Sequence, residues 1–306
     1  MAPAGRAGRR LPASRAGAPL GEPAVSPAEA LASLAATYGV PLGELDGWTI
    51  ATHITRSGAR LPDRGLRAYA ERLAAAAVLR RAAELVGPMR AATRPVSEAM
   101  REPHQGELDI ERTLENITGK QFPEAGDWVV THRQERRQQV VLMMDTSLSM
   151  SGEKMALAAV ATAVLALKMH SSDLAVVTFE DTARAISRLG VDESPEQIVR
   201  LMLEQPVRGY TNIAAALELG AAELERGRNP RRAGLLITDG VYTVGPDPVP
   251  LAARFPRLFV LLTEDYKMNP GLCRSMADQA RGDVFPVKSF QELPRRMLDV
   301  ANRVLR

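Results

Sequence analysis

Residues 140–168 read VVLMMDTSLSMSGEKMALAAVATAVLALK. The opening VVLMMD (140–145) is an apolar run without alternation, which predicts a strand buried on both faces. A polar loop follows, and EKMALAAVATAVLALK (153–168) predicts a helix rich enough in alanine to pack closely against a sheet. Further along the chain the same alternation repeats. DLAVVTF (173–179), AGLLITD (233–239), RLFVLLT (257–263) and DVFPV (283–287) predict strands, and ARAIS (183–187) a short edge strand. PEQIVRLML (195–203), TNIAAALELGAAELE (211–225), NPGLCRSMADQA (269–280) and ELPRRMLDVANRVL (292–305) predict helices. Strands separated by crossover helices define an α/β fold with a doubly wound, mostly parallel sheet. Ligands in such sheets bind beyond the carboxyl ends of the strands, near the point where strand order reverses.

The chain before this unit has a different texture. Residues 1–25 open with MAPAGRAGRRLPASRAGAPL, arginine-rich and free of acidic residues; the stretch superficially resembles a transit segment but reads as a disordered tail. Residues 26–137 read as an all-helical region and linker, and 138–306 as the α/β domain. Ser26-Pro27 before AEALASLAATYG marks a capped helix start, with Gly39 at its end and a turn around Pro41 and Gly43. Residues 64–86 predict a longer helix bounded by Pro88 and Pro95, and DIERTLENI (109–117) a short amphipathic one. Residues 119–137 carry Trp128, and the run THRQERRQQ (131–139) reads as a solvated lead-in to the first domain strand.

Composition excludes several classes. A chain of 306 residues buries a core without staples, and the single Cys273 rules out a disulfide framework or a multi-cysteine metal site. That cysteine usage, with no secretory-type apolar stretch, points to a reducing, cytoplasmic setting. His53, His104, His132 and His170 show no metal-binding spacing, and no apolar run is long enough to span a membrane. The formal charge of +3 is mild. Arginines of the helical region are interspersed with Glu71, Glu84 and Glu98, and aromatics are few, which argues against nucleic acid.

The chemistry gathers at the strand ends. Asp145 ends the first strand and opens DTSLS, placing Ser147 and Ser149 close behind it. Thr211 sits in GYTN before a helix, and Asp239 ends LLITD before Gly240. Two carboxylates and three hydroxyls suit a hard divalent cation, magnesium above all, which takes few carboxylates and keeps open positions. Helix capping or a turn explains Asp145 or Asp239 singly, but not all five oxygens on one sheet edge. Thr211 also reads as an N-cap. Asp173 and Asp181 read as turn residues, while Glu264 and Asp265 could shape the rim without ligating.

DTSLSM, GYTN and ITDG, in that order at strand ends, resemble the three-part metal-ion-dependent adhesion site of von Willebrand factor type A domains. The resemblance covers about 138–306 and implies that Asp145, Ser147 and Ser149 form the first motif, Thr211 the second and Asp239 the third. It also implies bound Mg2+ (or Mn2+) completed by a partner protein's acidic side chain. Many family members carry glycine where this chain has Leu148. With Tyr210, Asn212 and Gly240, Leu148 would form the rim a partner touches, although burial of Leu148 against the domain is an equal alternative. The helical region and the segment GELDIERTLENI resemble the bacterial CoxE-like group associated with MoxR-type AAA+ ATPases. The implied role is a non-catalytic adaptor of such an ATPase in metalloenzyme maturation or complex remodelling. No nucleophile–base pair, HExxH or phosphate loop supports catalysis. The competing readings are a magnesium-chelatase-like enzyme subunit, a metal-dependent hydrolase, or a nucleic-acid binder.

Overall fold

The computed structural model describes residues 26–57, 61, 63–88, 93–100, 106–135, 137–207, 209–264 and 267–305; the arginine-rich opening stretch and Asp265 lie outside them. Three helices come first. α1 (Pro27–Tyr38) starts on a Ser26/Glu29 capping box and ends at Gly39 in the left-handed conformation. α2 (Gly47–Ser57) has no counterpart in the sequence reading, because Thr49, Ile50, Thr52, Ile54 and Thr55 are β-branched and weak helix formers. Tertiary packing overrides that preference: Asp46 caps the first turn through the Thr49 amide (2.7 Å), and Ile50, Ala51, Ile54 and Thr55 are buried. α3 (Arg64–Val86) is capped by Asp63 and buries Leu66, Ala70, Ala74, Val78 and Ala82 along one stripe.

A small antiparallel sheet follows, within the region read as helical. β1 (Thr93–Ala99) and β2 (Glu107–Leu108) flank β3 (Val129–Glu135), with α4 (Ile110–Ile117) between β2 and β3 in sequence. Part of the stretch read as a solvated lead-in is therefore β3 itself. Its partner β1 lies some thirty residues upstream, beyond the reach of local periodicity. α4 faces the sheet through Thr113, whose hydroxyl accepts from the Val129 amide (3.0 Å), and Asn116, whose amide donates to the Asp127 carbonyl (3.3 Å). Ile110 and Leu114 remain exposed.

The remaining elements build the doubly wound sheet. β4 (Gln139–Asp145), α5 (Glu153–Lys168), β5 (Leu174–Phe179), β6 (Ala183–Ser187), α6 (Pro195–Leu203) and α7 (Ile213–Arg226) are followed by β7 (Arg232–Thr238) and α8 (Val249–Ala252). Then come β8 (Leu258–Thr263), α9 (Pro270–Gln279), β9 (Val284–Val287) and α10 (Leu293–Val304). These match the expected elements to within two residues at each end; the single turn α8 was not anticipated. Strand order is β6-β5-β4-β7-β8-β9, parallel throughout except that β6 runs antiparallel to β5. Order reverses at β4, whose neighbours are β5 on one side and β7 on the other.

Side chains of β4 alternate between two cores. Val140, Leu142 and Met144 join α1–α3, α5, α6 and α10, while Val141 and Met143 join α7, α8 and α9. α5 is buried from Met155 to Ala166: α2, α3, α6 and α10 pack around it, and it shares a core with Val140, Leu142 and Met144 of β4. Its alanines permit the close approach of the neighbouring helices. The helical layer is also tied electrostatically: buried Glu71 of α3 pairs with Arg67 (2.8 Å) and with Arg200 of α6 (3.6 Å). Asp173, expected in a turn, is buried and accepts from Arg137 Nε (2.6 Å), fixing the entry to β4.

α2 approaches α3 so closely that a Cβ on Gly47 would lie 2.6 Å from the Leu73 carbonyl oxygen and 2.8 Å from Ala77 Cβ. Gly47→Ala is therefore expected to cost about 1–3 kcal/mol of stability. In hydrogen exchange, α2 amides should lose protection while β4 keeps it; unchanged protection in α2 would show that the helices do not pack this tightly.

Candidate metal centre

Asp145 closes the central strand and is buried. The loop after it is shaped by backbone bonds. Thr146 donates both its amide (2.9 Å) and its hydroxyl (3.0 Å) to the Phe179 carbonyl, pinning the loop to the end of β5. The Ser147 amide donates to Asp145 Oδ1 (2.8 Å), an Asx turn that folds the chain back on the carboxylate. Ser147 and Ser149 hydroxyls come within 3.2 Å of each other; Ser147 is buried and Ser149 is exposed.

Asp239 follows β7 directly, half-buried, and repeats the device: its Oδ1 accepts from the Val241 amide (2.8 Å). Gly240 carries φ +78, and a Cβ there would lie 2.6 Å from the Asn269 carbonyl oxygen and 2.7 Å from Cys273 Sγ, so only glycine fits. Asp145, Ser149 and Asp239 line one cleft at the carboxyl edge of the sheet, with Ile237, Thr263 and Phe290 among its walls. Thr211 is buried in the neighbouring loop. Its amide donates to Thr243 Oγ1 (2.9 Å) and its carbonyl accepts from the Thr243 amide (2.9 Å), which ties GYTN to the loop after Asp239. Thr211 is not the N-cap. Asn212 takes that role, accepting from the Ala215 amide (3.0 Å), because α7 begins at Ile213.

The rim residues divide. Leu148 is 64% exposed and Tyr210 60% exposed, so Leu148 is not packed into the domain. Asn212 is occupied by its cap and by a bond to the Asp181 carbonyl (3.1 Å), and Gly240 is buried. Sequence reasoning missed Thr146 and Thr243, which hold the two loops; both are ordinary polar loop residues until their partners are known.

Burial pushes the Asp145 carboxyl up to about 7, against bonds from Ser147 that favour its ionised form, and the charge of Asp239 adds to the rise. The Cys273 thiol is pushed up to about 12, by burial first and then by Asp239, so the lone cysteine stays protonated. Among the described residues no group of three or more His, Cys, Asp or Glu side chains is placed to hold a metal ion. Any cation held here would therefore rest on two carboxylates supplemented by hydroxyls.

Residues 140–241, a third of the chain, match the family model of the von Willebrand factor type A domain, and the fold around them is of that type. The matched span contains all five predicted ligands. No curated protein matches the chain. Among solved structures, a von Willebrand factor type A protein from Catenulispora acidiphila is 15% identical at a TM-score of 0.47, covering 58% of this chain and 45% of that one. Proximal thread matrix protein 1 from the mussel byssus, with zinc in its MIDAS motif, is 18% identical at 0.47, over 55% of this chain and 48% of that one. An aerotolerance-related membrane protein from Bacteroides fragilis is 19% identical at 0.44, over 54% of this chain and 99% of that one. The chain spans about half the length of the first two.

A carboxyl titrating near 7 rather than 3.8 binds its proton more tightly folded than unfolded. The metal-free chain thus loses stability as pH rises from about 4 to about 7 and stays low above that. Asp145→Asn removes the penalty. In EDTA at pH 8 it should raise the melting temperature by roughly 4–8 °C, with the gain shrinking toward pH 5. A lower melting temperature at pH 8 would contradict the electrostatic account.

Proposed function

We propose that the protein is a metal-dependent protein-binding adaptor whose site holds a hard divalent cation, Mg2+ or Mn2+, through Asp145, Ser147, Ser149, Thr211 and Asp239. The observation that carries this reading is the burial of Asp145 beside Asp239, two acidic groups facing one cleft at a cost that a cation between them would offset. Oxygen-only donors suit such an ion. It would supply positive charge to which a partner's carboxylate can bind. Exposed Ser149 keeps the approach open, and exposed Leu148 and Tyr210 give the partner apolar contact beside it.

The finer reading follows the resemblance to CoxE-like proteins. The partner is a MoxR-type AAA+ ATPase or its client metalloenzyme, and the chain connects the two without catalysing a reaction itself. Among the described residues no helix is long and apolar enough to cross a membrane. The reading places the protein in the cytoplasm.

Two experiments test this proposal. Magnesium should raise the melting temperature more at pH 8 than at pH 5.5, since protons compete for Asp145, and Asp239→Ala should abolish the response. An equal rise at both pH values would place the ion elsewhere. Affinity purification from the native host should recover a MoxR-type ATPase or metalloenzyme with magnesium, and lose it with EDTA or Asp145→Ala. Equal recovery in all three conditions would separate partner binding from the metal site.

A further inference from the structure

The helical layer reaches the metal loop through one buried, directional contact. Thr55 of α2 is only 4% exposed, and its hydroxyl donates to the Gly152 carbonyl at 2.8 Å. Two carbonyls of its own helix, Ala51 and Thr52, lie at 3.1 Å each, so the contact across to Gly152 is the shortest of the three. Gly152 stands three residues after Ser149 and adopts φ +72, ψ −129, a conformation suited to glycine. Its carbonyl also receives the first bond of α5, from the Ala156 amide (3.2 Å). The Ser147–Ser149 loop is therefore pinned at both ends. Thr146 fixes its start to β5, and Thr55 fixes its end to a helix outside the α/β domain. Between them Met150 is buried in the core that α1–α3 share with α5.

We propose that Thr55 is a positioning residue for the metal loop, so that cation affinity depends on the docked helical layer. The inference rests on the reading of the site as a metal centre. The hydroxyl holds the Gly152 carbonyl where α5 begins, and that fixes where the chain leaves the turn bearing Ser149. A pull that lifts α2 off α5 would break this bond. The loop would then relax, and the cation would leave together with whatever carboxylate it held. The helical layer thus becomes a handle by which a partner can release the site.

The test uses the full chain carrying Thr55→Val, which keeps the shape and loses the donor, with Thr55→Ser as the rescue. Thr52→Val is the control: its hydroxyl donates to the Trp48 carbonyl within α2 (3.1 Å). Thr55→Val should weaken Mg2+ binding in titration calorimetry about 5- to 20-fold, the scale of one lost buried hydrogen bond. In EDTA it should speed amide exchange across 146–152 while α3 and β4 keep their protection. Thr55→Ser and Thr52→Val should match wild type. Thr55→Ala serves as a second donor-free variant if the valine replacement folds poorly. Wild-type affinity and exchange in the donor-free variants would overturn the proposal, as would equal loosening by Thr52→Val. If wild type itself takes up no Mg2+, the metal reading fails, and loop exchange in EDTA still decides whether the latch exists.

Discussion

A carboxyl group buried where the sheet reverses its strand order is the constraint on which the structure turns. β4 pairs in parallel with β5 on one side and β7 on the other, so Asp145 emerges where the chain departs toward opposite faces. Asp239 emerges from the next strand end, and the two charges meet in one cleft. Burial and repulsion both disfavour ionisation of Asp145; the Ser147 amide and hydroxyl compensate only in part. Local geometry near this edge serves to hold that arrangement: two Asx turns, a glycine that tolerates no side chain, and threonine bonds tying loop to loop.

The same edge is supported from behind by a third layer. α5 starts directly after the metal loop. Here α3 covers it, and the alanines of both helices allow the close approach. The layer is fixed to α6 through Glu71 and Arg200, and burial of the Tyr38 hydroxyl near Glu71 pushes its pKa up to about 12. Movement of the helical layer therefore cannot be independent of α5. The small sheet of β1–β3 differs in character: among its described side chains none belongs to either main core, and α4 turns Ile110 and Leu114 to solvent.

How much of this was legible in the sequence depended on the range of the forces involved. Strands buried on both faces write themselves as uninterrupted apolar runs, so 140–145 and 233–239 were readable alone, and the aspartates ending or following them marked the site. α2 was illegible because its β-branched residues disfavour a helix until α3 and α5 bury them. β1 and β3 were illegible because their pairing is non-local and their flanks carry no hairpin turn. At the site, residue types revealed the oxygen donors but not the scaffolding. That Asn212 rather than Thr211 caps α7, that Thr146 and Thr243 brace the loops, and that Leu148 faces outward are all matters of a few ångströms.

On this view buried Asp145 and half-buried Asp239 together hold a divalent cation. Titration of Mn2+ into the full chain, followed by the electron paramagnetic resonance signal of the free ion, tests it most directly. One ion should bind per chain, displaced by excess Mg2+ and absent when either Asp145 or Asp239 is replaced by alanine. Uptake that survives both replacements, or none in the wild-type chain, would contradict it.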